Sequence, residues 1–343
     1  MKKLLNTLFV TLQGASVVKE GENVVVREEG EVRLRVPVHG LGGLVCFGQV
    51  WCSPALLYLC AERGVGVSFL SENGKFLARV AGPVCGNVLL RREHYRWADD
   101  PGRSADVARN ILTGKLANAR NVLMRARRDH GDKTYEAALA KACGRLEDCL
   151  TRLPGADSLD VLRGIEGEGA NVYFGIFDAL ITSKDPAFVF GGRNRRPPLD
   201  PVNCLLSFLY TLLTHDVRSA LEGVGLDPAV GFLHRDRPGR PGLALDLMEE
   251  LRPVLADRVA VSLINLGQLK ARDFRQLESG AVLLSDDGRK EVLVAYQKRK
   301  QEDLMHPFLK ERIPAGLLCH VQALLLARHI RGDLDGYPAF LWK

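Results

Sequence analysis

The apolar residues of this chain change their spacing once, near residue 94, and that change limits the folds open to it. Before it come short strand-like segments: TLFVTL, ENVVVRE, EVRLRVPV, LVCFG, GVGVSFLS and FLARVAG. In EVRLRVPV, Val32, Leu34, Val36 and Val38 alternate with other residues, the period of a half-buried strand. EGEN, EEGE and SENGK supply hairpin-type turns between these segments. One helix is expected among them, at SPALLYLCAERG, with Ser53 as N-cap, Pro54 at the first helical position and Gly64 as the stop. Beyond residue 105 the segments lengthen and take helical spacing, as in ADVARNILTGKLANARNVLMRARRDHG and DPVNCLLSFLYTLLTHDVRSALEGVG. Asp200 followed by Pro201 is a helix start of the same kind as Ser53 and Pro54. LSDDGRKEVLVAYQKRK could be a hairpin at its Asp-Gly, but Ser285 can cap a helix with Val292, Leu293 and Tyr296 inward, and the helix is the expectation.

The chain therefore reads as an α+β multidomain protein. A small N-terminal β-rich domain spans residues 1–93, a linker, HYRWADDPGRSA, spans 94–105, and a larger all-α domain spans 106–343. A length of 343 residues suits two cores better than one. With 46% apolar and 26% charged residues the chain is globular, and a net charge of +6 permits an anionic partner without demanding one. No run approaches the roughly 18 apolar residues of a membrane span. The start, MKKLLNTLFVTLQGASV, is broken by Asn6, Thr7, Thr11 and Gln13, and reads as a strand rather than an export signal. Eight cysteines, at 46, 52, 60, 85, 143, 149, 204 and 319, form no CxxC pair and no zinc-ligand spacing. In contexts such as LVCFG and VNCLLSF they act as small hydrophobes, which fits a reduced, cytoplasmic protein.

The chemistry concentrates in the helical part. In GFLHRDRPGRPGLALDLMEELRP, His234 lies among Arg235, Arg237 and Arg240, ahead of Asp246, Glu249 and Glu250. On a helix Asp246 shares a face with either glutamate, and stacked carboxylates repel unless a cation or solvent separates them. A solvated helix start is the bland alternative, but the leucines around Asp246 argue against a simply wet turn. In LRGIEGEGANVYFGIFDALI, Glu166 and Glu168 sit among Gly164, Gly167 and Gly169, each costing a helix about 1 kcal/mol relative to alanine. Either close helix packing or an acid projecting into a crowded site must offset that. Oxygen ligands with one imidazole suit Mg²⁺ or Mn²⁺ better than zinc. Such an ion can polarise a phosphoryl oxygen, which points to phosphodiester transfer or hydrolysis. Residues 86–135 carry eleven Lys or Arg against six Asp or Glu, and Arg193, Arg195 and Arg196 add to them. That distribution fits a protein that tracks the backbone of double-stranded DNA.

These segments, with RGIEGEGANVYF, RNRRPPLDPVNCLLSFLYTLL and VQALLLARHIRGDLDGYPAF, closely resemble the CRISPR-associated spacer-acquisition integrase, in wording nearest the type I-C form. The resemblance covers essentially the whole chain. It implies a β-rich N-terminal domain that mediates homodimerisation and a helical catalytic, DNA-binding domain. It places the metal-binding acid, histidine and acid on Glu166, His234 and Asp246, with Glu249 where many relatives have a further acid. It implies support or DNA positioning for Asn203 and Tyr173, and no catalytic role for Glu168. The arginines Arg193, Arg195, Arg196, Arg235, Arg237 and Arg240 are expected at DNA phosphates. The implied reaction joins 3′-hydroxyl ends of short DNA fragments to the repeat of a CRISPR array by transesterification, with Mg²⁺ or Mn²⁺. Implied partners are a small ferredoxin-like companion protein and an iron–sulfur nuclease that trims the fragment. A metal-dependent nuclease on branched or single-stranded DNA, or an idle DNA-binding scaffold, are the competing readings.

Overall fold

The computed structural model describes residues 6–72, 74, 76–80, 82, 88–129, 134–194 and 196–342. It divides into two compact units between residues 86 and 87.

In the first unit, strands β1 (Asn6–Val10), β2 (Ser16–Glu20), β3 (Asn23–Glu28), β4 (Glu31–Pro37), β5 (Leu41–Phe47) and β6 (Trp51–Cys52) precede helix α1 (Pro54–Glu62), and β7 (Gly66–Leu70) and β8 (Phe76–Val80) follow it. They form two four-stranded sheets, ordered β1-β5-β7-β8 and β4-β3-β2-β6. Val17, Val24, Val26, Leu44, Leu56, Leu59 and Val67 belong to one apolar core. The expected helix is there, with the Ser53 hydroxyl accepting from Leu56 N–H at 3.3 Å and Gly64 at φ +68° closing it. The alternation in β4 is also real, because Leu34 pairs with Val26 and Val36 with Val24. Its burial is not: Val32 and Leu34 remain 46% and 42% exposed. As an edge strand of its sheet, β4 leaves these two side chains uncovered by the rest of the unit.

In the second unit the stretch 94–105, expected as a linker, is helical on both sides of Asp100. Helix α2 (Val88–Asp99) runs into α3 (Pro101–Asp129). Asp100 Oδ1 accepts from Gly102 N–H at 2.8 Å and Arg103 N–H at 3.0 Å, so Asp100-Pro101 is a capped helix start like Asp200-Pro201. Helices α4 (Glu136–Arg152), α5 (Leu159–Gly175), α6 (Pro201–Val224), α7 (Gly242–Met248) and α8 (Arg258–Asn265) follow, with a π-helical turn, Arg252–Asp257, before α8. Hairpins β9 (Phe274–Gln276) with β10 (Val282–Leu284), and β11 (Asp303–His306) with β12 (Glu311–Pro314), flank α9 (Asp286–Gln301), and α10 (Leu318–Ile330) ends the set. The unit is thus helical with two small hairpins rather than all-α. Ser285 caps α9, its hydroxyl accepting from Gly288 N–H at 3.1 Å. Among the described residues no helix is long and apolar enough to cross a membrane.

Two glycines set how closely α3 meets its neighbours. A Cβ on Gly169 of α5 would lie 2.3 Å from the Leu116 side chain of α3. A Cβ on Gly114 of α3 would lie 2.9 Å from the Glu250 side chain. Gly164 and Gly167 meet nothing. Close packing therefore accounts for one of the three α5 glycines, and the backbones of α5 and of residues 249–250 both approach α3 around Lys115.

The end of the chain is bound to the same region. Asn118 Nδ2 donates to the carbonyls of Glu250 (2.7 Å) and Phe340 (2.8 Å), and its Oδ1 accepts from Trp342 N–H (2.7 Å). The buried Glu250 carboxyl accepts from Tyr337 Oη, from Gln322 Nε2 at 3.0 Å and from Phe340 N–H at 2.8 Å. Burial pushes its pKa up to about 7, although those three donors favour the charged form. An acid raised in the folded state costs stability as pH climbs from the ordinary value of 4.5 to the raised one, because the unfolded chain releases its proton first. Glu250→Gln removes that dependence. The stability of the natural protein relative to this variant is expected to fall by on the order of 3 kcal/mol between pH 4.5 and 8. Urea denaturation across that range checks it, and a flat difference would show that the donors cancel the effect of burial.

Candidate active site

The loop from Gly231 to Arg240 holds the histidine, and Asp246 holds the loop. Asp246 is fully buried on α7. Its Oδ2 accepts from Phe232 N–H at 2.6 Å and Leu233 N–H at 3.0 Å. Its Oδ1 accepts from His234 N–H at 3.0 Å and lies 2.5 Å from His234 Nδ1. Gly231 and Gly242 make the close approach possible: a Cβ at either would come within 3 Å of backbone of the facing strand of the loop. A carboxylate only accepts, so the imidazole proton sits on Nδ1 and Nε2 carries the lone pair. Asp246, expected at the metal, thus spends both oxygens on the loop and on orienting His234.

A separate pair of acids meets a cation. Lys115 of α3 bonds Glu166 of α5, and its ammonium lies 2.8 Å from Glu249 Oε2. Glu249 is nearly fully buried, at 3% side-chain exposure, and its Oε1 accepts from Arg252 at 2.5 Å. Burial is the largest influence on the Glu249 carboxyl and opposes its ionisation. Arg252 and then Lys115 are the main positive charges that outweigh it and hold the group well below the usual carboxylate range. The loop is also tied to the helix of Glu166, since Arg163, one turn before Glu166, donates to Leu233 C=O at 2.9 Å.

Beneath this pair is a polar layer. Asp257 accepts from Tyr173 Oη at 3.1 Å and Tyr210 Oη at 2.7 Å. The guanidinium groups of Arg252 and Arg193 lie over the Tyr210 ring, 5.0 and 5.4 Å from its centre. Burial raises the pKa of Asp257 to about 6, against the pull of its two hydroxyl donors and both arginines. Tyr173, for which the resemblance implies support or DNA positioning, is buried with its hydroxyl committed to Asp257. Lys115, Arg252, Tyr210 and Asp257 do not stand out in the sequence. The spacing of Arg252 three positions after Glu249 is the only signal for any of them.

The residues expected at DNA divide. Asn203 is fully buried; its Oδ1 accepts from Arg193 at 2.5 Å and Asn194 N–H at 3.1 Å, and its Nδ2 donates to Gly192 C=O and Asp200. Asn203 and Arg193 thus build the entry to α6, and neither reaches a duplex without undoing these bonds. Arg195 lies outside the described residues. Arg196, Arg235 and Arg237 are exposed and Arg240 is half-buried. Arg235 is paired with Asp160 at 2.7 Å, an exposed bridge of little strength. Glu168 pairs with Arg152 and Arg145 rather than with Lys115.

The donor set fits a divalent ion of the Mg²⁺ or Mn²⁺ kind: two carboxylates and a free imidazole nitrogen, with a cation already between the carboxylates. Among the described residues no three His, Cys, Asp or Glu side chains yet surround one point closely enough to hold it.

Residues 8–298 match the family described as CRISPR associated protein Cas1. A CRISPR-associated endonuclease Cas1 of Chlorobaculum tepidum is 57% identical over 343 residues, 100% of both chains. A Cas4/Cas1 exonuclease/endonuclease fusion of Geobacter sulfurreducens is 38% identical over 342 residues, 98% of this chain and 60% of the fusion. Of solved structures, a casposase bound to its integration product superposes with a TM-score of 0.84 at 20% identity, covering 99% of this chain and 95% of that one. A chain of a Cas6-RT-Cas1–Cas2 complex gives 0.82 at 22% identity, covering 100% of this chain and 36% of that one. These two similarities establish the fold.

The different settings of the acids predict different consequences. Asp246→Asn removes a buried carboxylate serving four donors and is expected to cost about 3 kcal/mol or more. Glu166→Gln, at a half-buried side chain, is expected to cost less than about 1 kcal/mol. Thermal denaturation of both variants compares them, and equal losses would contradict the assignment of Asp246 to the loop.

Proposed function

The chain belongs to the family of CRISPR-associated endonuclease Cas1, and from that premise we propose that it is a divalent-metal-dependent DNA integrase. It joins the 3′-hydroxyl ends of short DNA fragments to the repeat of a CRISPR array. The observation that carries this reading is the approach of Glu166 and Glu249 to one cation, beside an imidazole whose Nε2 is left free by Asp246.

In this reading Glu166, His234 and Glu249 hold Mg²⁺ or Mn²⁺, with Glu249 in the place that the resemblance gives to Asp246. The ion supplies Lewis acidity at a phosphoryl oxygen and favours the attacking and leaving oxygens. Asp246 keeps the proton on Nδ1, so Nε2 faces the site as a ligand. Arg252 neutralises part of the charge on Glu249 and fixes its carboxylate plane through Oε1. Arg196, Arg237 and Arg240 approach phosphates directly, and Arg235 does so by exchanging its exposed bridge to Asp160 for a phosphate. The reaction forms one phosphodiester bond to the incoming 3′ oxygen and breaks one to the repeat's 3′ oxygen. The proton of the attacking hydroxyl leaves to solvent and the departing 3′ oxygen takes one up, so the exchange needs no nucleotide cofactor.

The exposed Val32 and Leu34 on the β4 edge support homodimerisation through the first unit. The likeness to a chain of a Cas1–Cas2 complex supports a small companion protein, and the Cas4/Cas1 fusion supports a trimming nuclease as a further partner. The cysteines support a reduced, cytoplasmic setting: the seven described are free thiols.

A labelled short duplex, a plasmid bearing the repeat and Mn²⁺ test the function. Joined product is expected with the natural protein and is expected to fall by at least 10²-fold in Glu166→Ala, His234→Ala and Glu249→Ala, each checked for a retained fold. Cut product without joined product would favour a nuclease, and undiminished joining in any of the three would reject the ligand set.

A further inference from the structure

Lys115 occupies the position that the proposed function gives to the ion. Its ammonium contacts carboxylates from two different elements, while its side chain is only 13% exposed. Glu249 Oε2 has no hydrogen-bond donor in good geometry, and this ammonium is its one close counter-charge; Arg252 takes the other oxygen. The arrangement is held by packing rather than by chance rotamers, since Gly169 and Gly114 let α5 and residues 249–250 close on α3 at Leu116 and Gly114, the neighbours of Lys115.

Resting on the reading of Glu166 and Glu249 as ion ligands, we propose that Lys115 is a built-in occupant of the ion site. It holds the two carboxylates together when no ion is bound, and it must swing out when one enters. Two reasons compel the exchange. Glu166, Glu249, Lys115 and Arg252 sum to zero charge, so a divalent ion added with Lys115 in place would put three positive groups around two carboxylates. An ammonium in close contact with both carboxylates also fills the space between them that an ion would need. A compact ammonium on a flexible four-carbon stem is suited to such a move, where a planar guanidinium fork would not be. Once displaced, it lies within one side chain's reach of the site, free to pair with a phosphate oxygen of the DNA strand held there. The protein thereby weakens its own hold on metal until DNA is present, and the two ligands become coupled.

Calorimetric Mn²⁺ titration of the natural protein, Lys115→Met, Lys115→Gln and Glu249→Gln, each with and without a short DNA duplex, tests the inference. Binding lost in Glu249→Gln defines the site. Lys115→Met and Lys115→Gln are expected to bind Mn²⁺ about tenfold or more tightly than the natural protein in the absence of DNA. The duplex is expected to tighten Mn²⁺ binding in the natural protein and to do so much less in either variant. Because loss of Lys115 leaves Glu249 short of a counter-charge, the variants should melt lower without metal and gain more in Tm from Mn²⁺ than the natural protein does. Unchanged or weaker Mn²⁺ binding in both folded variants would overturn the role of Lys115 while leaving the ion site standing. Absence of any Glu249-dependent Mn²⁺ binding, in the natural protein and the variants alike, would overturn the ion-site reading and this inference with it.

Discussion

Two carboxylates from separate helical elements do not share a buried space without positive charge between them. Everything around Lys115 follows from that constraint. Glu249 is drawn out of water by the elements that cover it, and burial opposes its charge; Arg252 and Lys115 keep it charged. Glu166 is partly open to solvent and shares the ammonium. The missing side chains at Gly114 and Gly169 bring the three backbones close enough for the pairs to form. The helix-weakening glycine is thus offset by packing in α5, which brings Glu166 to the ammonium it shares with Glu249.

The acids at 246 and 249 are three positions apart in a leucine-rich segment, and side by side in sequence they look interchangeable. Structure separates them by what reaches each one. Asp246 follows closely on a glycine that lets the preceding loop fold back, so it meets three backbone N–H groups and an imidazole. Glu249 lies just past the end of α7, ahead of the π-helical turn, and it meets cations from α3 and from three positions further on. One carboxylate therefore orients the histidine and the other stands opposite a positive charge. Their neighbour Glu250 faces a third direction, into the donors that fix the chain's last residues.

What is legible in the sequence is local. Ser53-Pro54, Asp200-Pro201 and Ser285 announce helix starts because a side-chain oxygen near the orphan N–H groups acts within one turn. The alternation in β4 gives the correct face, since Leu34 does oppose Val26. Its burial is not legible, because that depends on what covers an edge strand. Asp100-Pro101 carries the same signal that succeeds at 200, but the charged and glycine residues around it suggest a linker, whereas Asp100 caps α3. The partners of Asn203 are near in sequence but lie in the irregular stretch before α6, which carries no periodic signal, and the convergence on Lys115 depends on contacts tens of residues apart. Lys115 and Glu249 are far apart along the chain, on α3 and beyond α7, and no spacing rule connects them.

The same distinction governs the arginines. Arg193 looks like its neighbours Arg195 and Arg196 in sequence, yet it is half-buried, bonded to Asn203 and Ser207 and set over the Tyr210 ring. Arg237 and Arg240 instead lie on the loop that Asp246 pins from beneath. A loop so anchored can present charge to a phosphate without being ordered by it, which lowers the entropy cost of binding. The anchoring also couples the two tasks of the segment. The backbone N–H groups at 232–234, just ahead of these arginines, share the Asp246 carboxylate with the imidazole. The start of the arginine loop and the orientation of the imidazole are therefore both held by one buried acid.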